Sequence, residues 1–196
     1  MPAFLRHIPN FISALRILLV APIAVSLAQH RPTVSVFLFG VAALTDAIDG
    51  LLAKRFGWQS ALGGVLDPAA DKLLLVTVLI MLAYLKLVPL WLVETAVLRD
   101  VVIVGGALAY RFWIGPLSAR PSMISKLNTL FQAGFVLAVV GREAFSGPPA
   151  WLTMLLGALL FVTVVISGID YVLVYGRQAW SAGEGRVPGA SRSPLA

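Results

Sequence analysis

Cysteine is absent from these 196 residues, which excludes disulfides, thiolate nucleophiles and Cys-ligated zinc. Histidine is nearly absent too: only His7 and His30 occur, both at the ends of apolar runs. Charge is sparse. Asp, Glu, Lys and Arg make up 12% of the chain, while 59% is hydrophobic. A soluble domain carries about 25% charged residues, so this composition describes a polytopic membrane protein folded as one helical bundle. Acids are the scarcest class, nine against fifteen Lys and Arg, for a net charge of +6. In a soluble chain that excess would suggest nucleic acid. Here the basic residues flank apolar runs, where they set topology and meet anionic headgroups, so no nucleic-acid partner is expected. Neither a cleavable signal pattern nor an Arg/Ser-rich transit segment opens the chain, and the first apolar run is expected to direct insertion. No internal repeat of useful length is present.

Proline and glycine punctuate six apolar runs. A polar lead occupies residues 1–10. The spacing predicts helical spans over about 11–28, 33–53, 60–87, 89–110, 125–140 and 151–175. Pro68 either kinks the third or marks a later start with Asp67 as its cap. From Gly176 the tail is rich in Gly, Ser, Pro and Arg, and disorder is expected over 176–196. Six spans put both termini on one side. Ten Lys and Arg fall on that side and three on the other, leaving out Arg16 and Arg99 as intramembrane, so both termini are expected to be cytoplasmic. The predicted fold is therefore an all-α, six-span integral membrane bundle with a polar cavity open to the cytoplasm.

What is present against this background is acid in the wrong place. Four of the nine acids, Asp46, Asp49, Asp67 and Asp71, lie within 26 residues, inside or at the ends of apolar runs. A charge at bilayer depth costs at least about 2.5–3.5 kcal/mol, so each is a functional candidate. On a helix Asp46, Asp49, Gly50 and Ala53 share one face, while Asp67 and Asp71 are i and i+4 on the next. Acids packed so closely repel unless a cation sits among them. All-oxygen ligands point to a hard ion, Mg²⁺ or Mn²⁺. Four carboxylates suffice for two ions, an arrangement suited to displacement at phosphorus. Gly50, Gly63 and Gly64 leave room for a phosphate or nucleotide beside the backbone.

The run Asp46-x-x-Asp49-Gly50-x-x-Ala53-Lys54, then Gly63-x-x-x-Asp67-x-x-x-Asp71, resembles the signature of the CDP-alcohol phosphatidyltransferases. That signature has Arg where Lys54 stands, and Arg55 follows here. Further segments extend the resemblance over roughly residues 8–177. Ile8-Pro9-Asn10 with Ser13 and Arg16, and Asp67-Pro68-Ala69-Ala70-Asp71-Lys72, resemble the phosphatidylglycerophosphate synthase and cardiolipin synthase branches. Arg99-Asp100, the stretch Ser122 to Thr129 with Gln132, and Tyr175-Gly176-Arg177 favour the cardiolipin branch.

The resemblance implies a reaction. CDP-diacylglycerol donates its phosphatidyl group to an alcohol and CMP leaves. Asp46, Asp49, Asp67 and Asp71 would hold the metals. Asp71 would be the general base. Asp49, Gly50, Ala53, Lys54, Gly63 and Asp67 would bind CDP-diacylglycerol. Arg16, Arg99 and Lys126 are the candidates for the acceptor, which is phosphatidylglycerol or, in the other branch, glycerol 3-phosphate. A bacterial inner-membrane location and a homodimer follow from the resemblance alone. Plainer readings compete. The acids could line a cation transporter. Arg16 could snorkel from a helix end. Arg99-Asp100 could be a salt bridge that only holds the bundle, and Lys126 could serve topology.

Overall fold

The computed structural model describes the backbone of residues 8–56, 63–113 and 123–184, with side chains over 14–45, 69–109, 112, 123–174 and 176. Within them the chain is all helix: α1 (Ile8–Ala28), α2 (Pro32–Phe56), α3 (Gly63–Tyr84), α4 (Leu90–Trp113), α5 (Met123–Phe145) and α6 (Ala150–Glu184). No strand occurs among the described residues.

Local chemistry sets the ends. α1 closes with His30 at φ 54°, its N–H on the Leu27 carbonyl and that of Arg31 on Ser26. α3 closes the same way at Lys86, φ 59°, through Lys86 to Ala83 and Leu87 to Leu82. Both are left-handed caps of the kind glycine usually makes. They end α3 at Tyr84, three residues short of the predicted Leu87. Pro32 opens α2, and Pro89 and Pro149 immediately precede α4 and α6, where a missing N–H costs nothing.

Two expectations change. α3 begins at Gly63, so Asp67 and Pro68 lie inside it and Asp67 is not its cap. α6 runs on to Glu184, past the break expected at Gly176. One glycine among good helix formers lowers helix stability by only about 1 kcal/mol and does not stop a helix already packed along most of its length.

The helices alternate in direction. Leu27, Leu82 and Val140, from the C-terminal ends of α1, α3 and α5, line one cavity with Pro32 of α2. Pro89, Arg142 and Ala150 line another at the same end of the bundle. The core is mostly apolar: Ile23, Val78, Leu79, Leu82, Val136 and Leu160 are fully buried. The outside is apolar as well. Leu18, Phe37, Leu98, Phe112, Leu130 and Met154 stand exposed, a coat that suits hydrocarbon rather than water. Among the described residues two helices are long and apolar enough to cross a membrane, over Met123–Phe145 and Ala150–Val174. Ala14–Ala28 and Pro32–Thr45 form shorter apolar stretches.

Candidate functional site

Packing partners define where a site can be. Over their described residues, α2 packs on α1 and α5, and α3 packs on α1, α4 and α5. α2 and α3 do not pack on each other there, although short connections predict that consecutive spans are neighbours. The four helices α1, α2, α5 and α3 thus close a ring in which α1 and α5 each pack on both α2 and α3.

By helix register the acids belong to the end of the bundle where α2 ends and α3 begins. Asp46 and Asp49 precede the end of α2 by ten and seven residues, or about 15 and 10 Å. Asp67 and Asp71 follow the start of α3 by four and eight, or about 6 and 12 Å. The helices being antiparallel, all four belong to the same end of the bundle. The side chains of Asp46, Asp49, Gly50, Ala53, Lys54, Gly63 and Asp67 lie outside those described. Among the described residues no group of three His, Cys, Asp or Glu could hold a metal ion.

Asp71 is described, and it has a partner from α1. Arg16 Nη1 donates to its Oδ1 at 2.6 Å. Arg16 is 1% exposed and the Asp71 side chain 36%. The arginine does not snorkel to an interface. Its guanidinium is buried against α3, balancing the charge of the acid predicted to be the base, which stays partly exposed.

A second polar cluster lies beside the first. Lys72 Nζ donates to both oxygens of Asp100, at 2.8 and 2.9 Å. Arg99 Nη1 donates to Asp100 Oδ1 at 2.7 Å. Arg99 Nη2 donates to Ser125 Oγ at 2.8 Å and also to Ser167, which accepts from Arg99 Nε at 3.2 Å. The guanidinium carbon stands 5.9 Å from the Tyr171 ring centroid. This one side chain ties α4 to α5 and α6, and Lys72 adds α3. Ser167 and Tyr171 had no signal in the sequence, because a serine in an apolar helix usually bonds its own backbone.

α5 adds two buried amides. Asn128 Oδ1 accepts from Thr163 of α6 at 3.2 Å. Gln132, one turn along and 1% exposed, has no hydrogen-bond partner among the described residues at either Nε2 or Oε1. Lys126 is exposed in the first turn of α5. The structure thus brings Arg16 to Asp71 and Arg99 to Asp100, and leaves Lys126 at the surface.

Comparison with known proteins agrees with the motif. Residues 6–174 match the CDP-alcohol phosphatidyltransferase family. A probable CMP-forming cardiolipin synthase of Drosophila melanogaster is 33% identical over 160 residues, 74% of this chain and 48% of the relative. The CMP-forming cardiolipin synthase of Homo sapiens is 29% identical over 187 residues, covering 87% and 62%. A probable phosphatidylglycerophosphate synthase of Mycobacterium tuberculosis is 30% identical over 177 residues, covering 87% and 82%. The chain spans between 48% and 62% of the length of the fly and human relatives.

Proposed function

This chain belongs to the CDP-alcohol phosphatidyltransferase family, and from that premise we propose that it moves the phosphatidyl group of CDP-diacylglycerol to phosphatidylglycerol, forming cardiolipin and CMP. The observation that supports this reading is the pairing of the buried Arg16 with Asp71, the last acid of the four-acid signature. Two cardiolipin synthases among the relatives support the acceptor. Glycerol 3-phosphate is the second reading, supported by the mycobacterial relative, of which this chain covers 82%.

In this reading the acceptor hydroxyl gives its proton to Asp71. Its oxygen bonds to the phosphorus that bears diacylglycerol. The bond from that phosphorus to the bridging oxygen breaks, and CMP leaves with the electron pair. Arg16 holds the Asp71 carboxylate in place and in charge balance. Gly50, Ala53 and Gly63 give the cytidine room, and Asp49, Lys54 and Asp67 meet the diphosphate. Lys126, exposed at the start of α5, is available to an acceptor phosphate. Arg99, whose donors are committed to Asp100, Ser125 and Ser167, positions the helices behind the site.

A donor set of carboxylates alone fits Mg²⁺ or Mn²⁺, held by Asp46, Asp49, Asp67 and Asp71. When bound, such ions neutralise the diphosphate and polarise the phosphorus under attack. The apolar coat supports six membrane spans, and the Lys and Arg bias supports cytoplasmic termini in a bacterial inner membrane, with CDP-diacylglycerol entering from the cytoplasmic leaflet. A homodimer remains part of the proposal.

Purified protein in detergent with Mg²⁺ and CDP-diacylglycerol is the test. It should release CMP on addition of phosphatidylglycerol, and less or none with glycerol 3-phosphate. The reverse preference selects the second reading. Release with no acceptor at all, or with none tried, rejects the transferase.

A further inference from the structure

α4 and α5 both pack on α6, but not on each other over their described residues. The space this leaves holds a cavity of about 580 Å³. Ligand sites run from about 300 to 1,000 Å³, so it is large enough for a ligand. It stands at the end of the bundle where α5 closes and α6 begins, lined by Arg142 and Ala150. Asp71 is at the other end of α3, thirteen residues or about 20 Å before Tyr84. The cavity is therefore separate from the acid site.

Its walls are almost wholly apolar. Trp91 of α4 and Phe161 of α6 meet edge-on, ring centroids 5.3 Å apart, and with Phe135 of α5 they close the deep end. Trp91 and Met154 are exposed, so the cavity opens sideways onto the apolar coat rather than into the core. Thr153 is turned to its own helix, donating to the Ala150 carbonyl at 2.8 Å. One charged residue lines the whole space, Arg142 in the last turn of α5. It is exposed, and among the described residues no carboxylate pairs with it. Its neighbour Glu143 lines a different cavity, with His30 and Leu27.

The dimensions and the charge select the occupant. From Ala150 to Phe161 the cavity follows eleven residues of α6, about 16 Å. Half of a bilayer's hydrocarbon core is about 15 Å. A chain entering beside Arg142 would thus reach the deep end at about the depth where one leaflet stops. A soluble anion would use the arginine and waste the apolar walls. A neutral alkyl chain would do the reverse. An amphiphile with an anionic phosphate head uses both, since a guanidinium matches phosphate oxygens in charge and in planar geometry.

We propose that this cavity is a binding site for an anionic phospholipid of the leaflet at the α5–α6 turn, with the phosphate on Arg142 and one acyl chain against Trp91, Phe135 and Phe161. It is a lipid site apart from the one where phosphatidyl transfer is proposed, and it stands whether or not CMP is released.

Trp91 is the reporter. The full chain is placed in phosphatidylcholine nanodiscs containing a small fraction of phosphatidate with brominated acyl chains, which quench tryptophan on contact. Subtracting the signal of Trp91→Phe isolates the share of Trp91. Brominated phosphatidate should quench that share with an apparent affinity about fivefold higher than brominated phosphatidylcholine at the same fraction, the preference expected of one arginine near the membrane surface. Arg142→Gln should erase the preference. Ala158→Leu, which fills the cavity from an exposed position, should lower quenching by both lipids with Arg142 intact. Excess inorganic phosphate should change nothing. Equal quenching by the two lipids in the wild type overturns the proposal, as does a preference that survives Arg142→Gln. Loss of quenching with inorganic phosphate would give the arginine to a free anion instead. Quenching by neither lipid in a protein that runs as a dimer would give the cavity to a second copy. Either result also rejects the lipid.

Discussion

Arg16 and Asp71 meet at 2.6 Å across 55 positions of sequence, one from each of two helices that run in the same direction. The pair couples a fully buried cation to a carboxylate still partly exposed. Removing either charge takes away the 2.6 Å partner of the other.

Arg16→Met should therefore weaken both fold and reaction. The cost of breaking a buried pair is about 3–5 kcal/mol. Asp71 is partly exposed, so about 1–3 kcal/mol is expected. The turnover rate should fall at least tenfold with little change in KM for CDP-diacylglycerol. Arg16→Lys, which keeps charge but loses the planar fork, should lie between. A double-mutant cycle with Asp71→Asn, read by thermal unfolding in detergent, measures the coupling. Independent, additive effects would mean the contact does not carry this energy.

Asp100 serves two cations, Lys72 and Arg99. Asp100→Asn removes the carboxylate that both cations bond, leaving Lys72 only the more distant charge of Asp71, and should cost about 3–5 kcal/mol. Lys72→Met removes one cation and leaves the Arg99–Asp100 pair whole, so it should cost distinctly less. Thermal unfolding of the two variants side by side gives the order, and a larger loss for Lys72→Met would contradict it.

The helices were legible because proline and glycine interrupt apolar runs of spanning length. The ends were less so. His30 and Lys86 make the left-handed caps expected of glycine, while Gly176, which looks like a stop, is passed by α6. The acid face is an expectation from Asp46, Asp49, Asp67 and Asp71 at helical spacing, and of these only the Asp71 side chain is among those described. What no local spacing encodes is the ring. That α2 packs on α5, that Arg16 turns inward, and that Ser167 receives Arg99 depend on contacts between distant residues. Gln132 is visible in the sequence as a polar residue in an apolar stripe, but its lack of a partner is visible only in three dimensions.

The seam between α5 and α6 closes at Gly157. A Cβ there would stand 3.1 Å from Phe135 Cε2. Gly157→Ala should cost about 1 kcal/mol, because the ring must shift by a few tenths of an ångström. Gly157→Leu should cost about 1–3 kcal/mol by overpacking. Phe135→Leu combined with Gly157→Ala should show less than the sum of the two losses, since the smaller side chain vacates the contested space. Strict additivity, measured by thermal unfolding, would show that the helices part without resistance.

Metal dependence offers the sharpest test of the acid face, because it predicts a change of sign. Chelation with EDTA should abolish CMP release, and Mg²⁺ or Mn²⁺ should restore it. Without metal the clustered carboxylates repel one another, even with Arg16 offsetting Asp71. Under chelation, Asp46→Asn or Asp67→Asn should then raise the unfolding temperature above that of the wild type. With metal in excess the same variants lose a ligand, bind the ion more weakly, and should unfold below the wild type, because stabilisation by a ligand scales with its affinity for the folded state. The two orders must cross between the two conditions. A structural set of acids paired to lysine and arginine would be destabilised by the substitution in both, and would show no crossing.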